Sequence, residues 1–487
     1  MVTTFIFVPT SVRPMGGGAT RLFGSVTLSS GSPLPPGLDL DLELLRQCEE
    51  ALGDGPPRFH RTFTSLSDGE NTPGPPIRVM QWNILAQGNN NLLERHSRWF
   101  LKEDLSPTEP FCLVSGRSCT NQSDGLLLAK GVKFDCLFKT RPQGHILRAA
   151  HRTRDTSVSE ASEVSGVFMS KPGLRGHEQL LVKMITTCLA TVLMKLSLPL
   201  SLSIEALGEG LDSFVQCPPE ALSWSRRKYL ILEEILSHRP HILCLQEVDH
   251  YYDTLQPVLA SLGYSSNFCP KPWSPCLGVE GNNGPDGCAL FFDHMRYDFL
   301  DSVNIRLSAM KIPTNQVAVA TMLRCKSTGR CLCVAVTHLK ARSGWEWLRS
   351  AQGADLLRHI HSLIQKHAGG HAGAPPPNVP LLVCGDFNAV PTEDVYRHFS
   401  ASPLGLESAY KKLSRDGLSE PEYTTWKIRP TGECRSTLDY IWYSQNTLRV
   451  DALLDLPTEE QIGPNRLPSF SYPSDHLSLV CDLSFKE

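Results

Sequence analysis

Residues 381–388 read LLVCGDFN, a run of apolar residues that ends in Asp386 and Asn388. A short continuous apolar run closed by polar turn residues is typical of a strand buried on both faces, as in parallel sheets. Asp386 and Asn388 are two positions apart on an extended chain and project to the same face. By themselves, these two residues are equally compatible with a simple turn, so the rest of the chain must decide whether they have a functional role.

Four further apolar runs end in polar groups that can bind metal or phosphate. They are VMQWN with Asn83, ILCLQE with Glu247, VAVTH with His338, and YPSDH with Asp475 and His476. Polar side chains at the ends of buried strands are costly unless they serve one another or a ligand. Open α/β sheets bind ligands where their strands end, so the recurrence predicts one shared rim.

Each of these polar residues could instead have a purely structural role. Glu247 alone could cap a helix, His338 alone could be a core histidine, and Asp475 with His476 could form a surface turn. The order and number of these runs favour the functional interpretation over five independent coincidences.

These residue types fit magnesium-assisted hydrolysis of a phosphate ester. Mg²⁺ takes hard oxygen ligands, and it is usually held by one or two carboxylates together with the substrate phosphate. We expect Glu247 to be the metal ligand and Asp386 to orient or deprotonate the attacking water. Asn388 and Asn83 would fix the phosphate and the metal-bound waters.

The two histidines and two further aspartates complete the predicted site. His476 would stabilise charge that develops on the phosphate, or protonate the leaving oxygen. Either Asp439 or Asp475 would hold the ring of His476 and its tautomer. His338 would donate a hydrogen bond to a phosphate oxygen.

The overall composition sets limits on partners and compartment. The chain has 487 residues, a net charge of −3 and 16 cysteines. The chain has no overall positive charge of the kind that indicates a nucleic-acid partner, so any phosphate-binding surface must be local. The scattered cysteines favour buried reduced thiols, and no segment has the length and apolarity of a membrane span.

The organisation of the chain predicts one α/β domain interrupted by an insertion. Residues 1–57 form a disordered leader or tether with a single helical pattern at Leu40–Leu52, and they resemble loosely a mitochondrial transit peptide. An internal start at Met15 would instead expose a myristoylation pattern. Residues 58–87 and 206–487 form the catalytic domain. Residues 88–205 show no sustained period and are an atypical insertion, either disordered or the product of a retained intron.

The quoted runs, taken together, resemble the exonuclease–endonuclease–phosphatase superfamily and, within it, the deadenylase-like branch. The resemblance is carried by PPIRVMQWNILAQ, ILCLQEVDHYYDTLQP, NNGPDGCALFF, VTHLKAR, VCGDFNAVPTEDVY, STLDYIWYS and SYPSDHLSLVCDLSF. It implies a four-layer α/β sandwich, with two central mixed sheets flanked by helices.

The resemblance also implies a substrate. It favours Mg²⁺-dependent removal of the 2′-phosphate from NADP⁺ and NADPH, with Mn²⁺ as a substitute metal. We further expect a monomer that is located in the cytoplasm, the mitochondrion or both. Basic residues suited to several phosphates are Lys271, Lys340, Arg342 and Arg429, with Asn388 and His476 beside them. A poly(A)-specific 3′-exoribonuclease using the same residues is the alternative, and a catalytically inactive scaffold for RNA–protein complexes is a rival from another class. Links to circadian control are implied by the resemblance alone.

Overall fold

The protein is described here in a computed structural model. The structure describes residues 40–66, 76–87, 125–131, 134–141, 144–150, 163–168, 214–279, 284–368 and 378–486. The chain divides into two compact units, of which one comprises Met1–Leu101 and Gly208–Glu487 and the other Lys102–Leu207.

The described elements follow in chain order. The strands are β1 (Phe63–Ser65), β2 (Ile77–Asn83), β3 (Gly125–Gly131), β4 (Phe134–Arg141), β5 (Gly144–Ala150), β6 (Glu163–Phe168), β7 (Ile242–Gln246), β8 (Tyr264–Pro270), β9 (Gly287–Asp293), β10 (Tyr297–Ala309), β11 (Ile312–Cys325), β12 (Cys331–His338), β13 (Leu381–Asp386), β14 (Leu406–Ser408), β15 (Thr425–Arg429), β16 (Gly432–Ser436), β17 (Asp439–Ser444), β18 (Leu448–Leu454) and β19 (Leu479–Phe485). The α-helices are α1 (Leu40–Leu52), α2 (Pro219–Leu222), α3 (Trp224–His238), α4 (Gln256–Ser261), α5 (Glu346–Ala368), α6 (Asp394–Ser400) and α7 (Glu459–Ile462). Short π- and 3₁₀-helical turns cover Tyr251–Leu255, Pro275–Gly278 and Ala409–Leu413.

One sheet of the first unit has seven strands in the order β1-β18-β19-β2-β7-β9-β8. Its central pair, β2 and β7, is parallel, and the remaining neighbours are antiparallel. The parallel register places Asn83 opposite Gln246. Glu247, the next residue, therefore leaves the sheet at the same edge as Asn83.

The second sheet has six strands in the order β10-β11-β12-β13-β17-β14. Its central pair, β12 and β13, is also parallel and sets His338 opposite Asp386. The antiparallel pairing of β13 with β17 sets Asp386 opposite Asp439. Register alone thus brings three of the predicted site residues to one edge of this sheet.

The two sheets pack face to face, with helices outside. Alternate residues of β7 serve different layers: Ile242 and Cys244 lie in the core shared with the second sheet, while Leu243 and Leu245 lie in the core beneath the helices α1 and α3. The outer face of the second sheet packs on α5 and α6. The order helix, sheet, sheet, helix confirms the predicted four-layer sandwich of two mixed sheets.

Helix α1 has the bounds that the sequence pattern predicts, and it belongs to the first unit. Its Leu44 and Cys48 are buried in the core beside α3. This differs from the expectation of a disordered tether up to residue 57, because two buried side chains fix the helix to the domain. The predicted targeting segments lie in residues 1–39, outside the described residues.

The helical stretch of residues 219–238 is divided in two. Ser223 adopts an extended backbone (φ −62°, ψ 130°) between α2 and α3. Helix α3 ends at His238, and the capping residue Arg239 is in the left-handed conformation (φ 45°) immediately before Pro240.

The second unit contains a four-stranded antiparallel sheet in the order β3-β4-β5-β6. These strands fall within the insertion at 88–205, where the sequence showed no sustained period. Most of the insertion lies outside the described residues, so its predicted origin from an intron stays a prediction. Within the described ranges, no helix is long and apolar enough to cross a membrane.

Candidate active site

Asn83 joins the two sheets at the centre of the predicted rim. Its amide Nδ2 donates to Glu247 Oε1 at 3.1 Å and to Asp386 Oδ2 at 3.0 Å. Its Oδ1 accepts from the backbone N–H of Leu85 at 3.1 Å. Because one nitrogen serves both carboxylates, Glu247 of the first sheet and Asp386 of the second sheet face a common space.

The turns that carry two site residues have unusual backbone conformations. Glu247 has φ 57° and Asn388 has φ 49°, in the left-handed region that non-glycine residues seldom occupy. Glu247 Oε2 accepts from the N–H of Ala86 at 2.8 Å. Asn388 is held by Asp386, whose Oδ1 accepts its N–H at 2.8 Å, and by the carbonyl of Leu339, which accepts its Nδ2 at 3.1 Å. Hydrogen bonds therefore fix both turns in place.

Asp386 lies between two histidines in a buried position. Its Oδ2 is 3.6 Å from His338 Nε2 and 3.7 Å from His476 Nε2. Burial, together with the nearby Asp439 carboxylate, raises the pKa of Asp386 to about 6. The pKa of His338 is lowered well below its ordinary value by burial and by the cationic Lys271. A neutral His338 can offer one N–H to a phosphate oxygen.

Asp439 holds the ring of His476. Asp439 Oδ2 is 2.8 Å from His476 Nδ1 and accepts the hydroxyl of Thr424 at 2.7 Å. Gln81 Nε2 donates to the other oxygen at 3.0 Å. Burial disfavours the charged ring, but the carboxylates of Asp439 and Asp386 outweigh it and raise the pKa of His476 to about 9. The side chain is therefore cationic at neutral pH, with Nε2 directed towards Asp386.

Asp475 is paired with two basic side chains rather than with the ring of His476. Its Oδ2 is 3.9 Å from His476 Nε2, whereas Lys427 Nζ is 2.5 Å away and the Arg429 guanidinium 3.2 Å away. Burial acts against ionisation, but the charges of Lys427, His476 and Arg429 hold the pKa of Asp475 well below its usual range. Of the two alternatives that the sequence left open, the geometry favours Asp439 as the residue that orients His476.

The predicted basic residues lie on loops and on a hairpin beside these carboxylates. Lys271 pairs with the buried Asp286 at 2.7 Å, and both Lys271 and Lys340 lie close enough to His338 to lower its pKa. Arg342 is exposed and lies two residues after the buried Lys340. Arg429 stacks over the ring of Phe214 at 3.9 Å. The described residues thus place several cations around one buried carboxylate–histidine centre.

Oxygen ligands for a divalent ion are available at this rim. Asp386, Asp439 and His476 offer ligand atoms within 4.8 Å of one another. Asp439, however, already accepts hydrogen bonds on both oxygens, so its role fits orientation of His476 better. Glu247 and Asp386, on either side of the Asn83 amide, supply the hard oxygen donors that Mg²⁺ prefers.

Four contributors to the site were not predicted. Gln81 and Thr424 hold Asp439, and Lys427 holds Asp475 and lies 3.4 Å from His476 Nε2. Ser474 donates to the carbonyl of Asn83 at 2.6 Å. Lys427 had a signal in the sequence, because it is two positions from Arg429 on one strand and shares its face.

Comparison with known proteins agrees with this geometry. Residues 206–476 match the model of the Endonuclease/Exonuclease/phosphatase family, and the chain belongs to that family. A protein named Nocturnin from Homo sapiens is 63% identical over 491 residues, covering 98% of this chain and 84% of the relative. The solved structure of the human Nocturnin catalytic domain with bound sulfate anion has a TM-score of 0.54 at 41% identity, and the match covers 88% of this chain and all of that one. Within the family, the chain therefore belongs to the nocturnins and is a hydrolase of the nocturnin type.

A more distant relative is named as an exoribonuclease. The CCR4-Not complex 3′-5′-exoribonuclease subunit Ccr4 of Candida albicans is 27% identical over 303 residues, which cover 55% of this chain and 38% of that protein.

Proposed function

We propose that this protein is a Mg²⁺-dependent phosphatase that removes the 2′-phosphate from NADP⁺ and NADPH, giving NAD⁺ and NADH. One observation carries the proposal. Lys271, Lys340, Lys427 and Arg429 surround the buried centre of Asp386, His338 and His476. A compact group of cations suits a small ligand with several phosphates better than a long polyanion, which needs an extended basic track.

The reaction that we propose is attack of water on phosphorus, with cleavage of the bond between phosphorus and the ribose 2′-oxygen. Asp386 would orient the water and accept its proton, and the elevated pKa of this carboxyl suits a base near neutral pH. The cationic His476 would stabilise negative charge on the phosphate and return a proton to the 2′-oxygen. His338 would bind a non-bridging oxygen.

A bound divalent ion would supply Lewis-acid stabilisation of the phosphate oxygens. Glu247 is the residue that we propose as its carboxylate ligand, with Asn83 and Asn388 placed to bond its waters and the phosphate. The Asn83 amide donates to one oxygen of Glu247 and the Ala86 N–H to the other, and these two bonds hold the carboxylate at the rim between the two sheets.

A second candidate is a poly(A)-specific 3′-exoribonuclease that uses the same residues. It is favoured by the relationship to Ccr4, which is named as a 3′-5′-exoribonuclease. Here the same water attack would break the bond to a 3′-oxygen and release AMP.

One assay separates these functions. The full chain is incubated in Mg²⁺ with NADPH or with oligo(A), and phosphate or AMP release is followed for wild type and for Glu247→Ala. We expect phosphate release from NADPH that depends on Mg²⁺ and on Glu247. Release of AMP from oligo(A) at a rate that matches NADPH turnover would favour the exoribonuclease. Phosphate release that is unchanged by substitution of Glu247, Asp386 and His476 would show that these residues are not catalytic, and would favour a scaffold.

A further inference from the structure

The predicted phosphate-binding residues Lys340 and Arg342 lie on a short segment, residues 339–345, which we call the basic loop. Its first residue is bonded to the catalytic turn, since the N–H of Leu339 donates to the carbonyl of Asp386 at 2.9 Å. The Asn388 amide donates to the carbonyl of Leu339 at 3.1 Å. The basic loop therefore begins in a fixed relation to the reacting centre.

A buried arginine holds the middle of the basic loop. Arg349, in the first turns of α5, is only 2% exposed. Its Nη1 donates to the carbonyls of Lys340 at 3.0 Å and Arg342 at 2.7 Å. Its Nε and Nη2 donate to the two oxygens of Glu393 at 2.8 Å and 2.9 Å. The N–H of Lys340 is also bonded, to Gln352 Oε1 at 3.1 Å.

Glu393 connects this contact to the other side of the site. It follows Asn388 by five residues and precedes α6, so it belongs to the segment that leaves the catalytic turn. One guanidinium thereby joins the basic loop to the segment carrying Asp386 and Asn388. A lysine cannot replace it, because a planar guanidinium with a fixed fork serves four acceptors in one plane and an ammonium does not.

The loop needs such support because its backbone is strained. Arg342 has φ 77°, a left-handed conformation that is unfavourable for a residue with a β-carbon. Arg349 donates two hydrogen bonds to the backbone here, one to the carbonyl of Lys340 and one to the carbonyl of Arg342. Without them the loop would relax and its two cations would move.

We infer that Arg349 is a positioning residue that fixes Lys340 and Arg342 to bind the phosphates of the substrate that do not react. The inference rests on the proposed function in so far as it assigns these cations to substrate phosphates. It predicts that the substrate is a ligand with more than one phosphate group, and that loss of Arg349 weakens binding without slowing the chemical step.

The experiment uses the full chain and the variants Arg349→Lys and Glu393→Gln. Affinity for inorganic pyrophosphate is measured by calorimetry, and kcat and KM are measured with NADPH. We expect Arg349→Lys to raise both the Kd for pyrophosphate and the KM for NADPH about tenfold, with kcat changed less than about threefold. Glu393→Gln keeps the arginine but weakens its contact, so it should change the same two constants in the same direction by less.

Arg78→Lys is the matched control. Arg78 makes a similar two-point contact with Asp482, at 2.7 Å to each oxygen, and it touches neither the basic loop nor the catalytic turns. We expect it to leave the Kd and the KM within about twofold of wild type. Circular dichroism and thermal melting check each variant, and Glu393→Gln decides the question if Arg349→Lys does not fold.

The inference is overturned if folded Arg349→Lys binds pyrophosphate as wild type does, if kcat rather than KM changes, or if wild type binds no pyrophosphate. Failure of the proposed function is a different result, namely no phosphate release from NADPH by wild type. In that case the binding measurement still decides the role of Arg349.

Discussion

Replacing Asp439 by asparagine removes the charge that keeps His476 protonated. The carboxylate oxygen is 2.8 Å from His476 Nδ1, and the Thr424 hydroxyl and the Gln81 amide keep it in position. Asparagine has the same shape, and reversal of the Gln81 amide lets Gln81 Oε1 accept from the new Nδ2, so the effect of Asp439→Asn should be electrostatic. Burial of the ring persists and opposes the remaining charge of Asp386, so the pKa of His476 should fall from about 9 towards its ordinary value of 6.5.

The size of the effect follows from the protonated fraction of His476. With a pKa of about 9, the ring is about 90% cationic at pH 8, whereas with a pKa of about 6.5 it is about 3% cationic. If the cation is the active form, kcat at pH 8 should fall about thirtyfold, and at pH 6 less than about twofold. The defect should therefore grow as the pH rises.

The assay measures kcat for NADPH from pH 6 to pH 9 in saturating Mg²⁺. Asp355→Asn is the control, because this aspartate is equally buried but bonds the N–H of Ser308 and pairs with Arg358, outside the site. An equal loss at pH 6 and pH 8, or no loss at pH 8, would refute the reasoning, since neither follows from deprotonation of His476.

Three further outcomes are expected. Burial favours the neutral form of Glu234, but its contacts with His238 and Arg61 hold its pKa at about 2, below the ordinary 4.5. Its charge should therefore contribute about 3 kcal/mol to stability above pH 4.5, and this contribution is lost as the pH falls towards 2. In urea unfolding, Glu234→Gln should have a lower free energy of unfolding than wild type at pH 7, and the difference should become smaller in acid. A difference that does not change with pH would contradict this. Arg227 is fully buried and donates to three backbone carbonyls beside the catalytic turns, so Arg227→Met should lower the free energy of unfolding by about 3–5 kcal/mol. The neighbouring Arg226 is half-buried, and Arg226→Met should lower the free energy of unfolding by less than about 1 kcal/mol. Equal losses in the two variants would show that the burial of Arg227 is unimportant. A chain lacking 88–205 should fold and release phosphate from NADPH, and an inactive deletion beside an active full chain would show that the insertion is needed.

The sequence by itself determined which side chains reach the rim. Apolar runs such as LLVCGDFN specify strands buried on both faces, and the polar residue that ends each run must lie at a strand end. Asn83, Glu247, Asp386 and His476 could be identified because this cost of burial is local. The helix Leu40–Leu52 could also be predicted from the sequence, although its packing against the domain could not.

The tertiary structure decided how these strand ends pair, because pairing depends on register between strands far apart in the chain. Asp439 and Asp475 are equivalent in sequence, and only the pairing of β13 with β17 makes Asp439 the partner of His476 while Lys427 and Arg429 take Asp475. The same holds for Arg349, whose four acceptors come from two segments that meet only after folding. A sequence shows which groups are costly to bury, but the hydrogen bonds that compensate them are formed between distant segments, and only the fold brings those segments together.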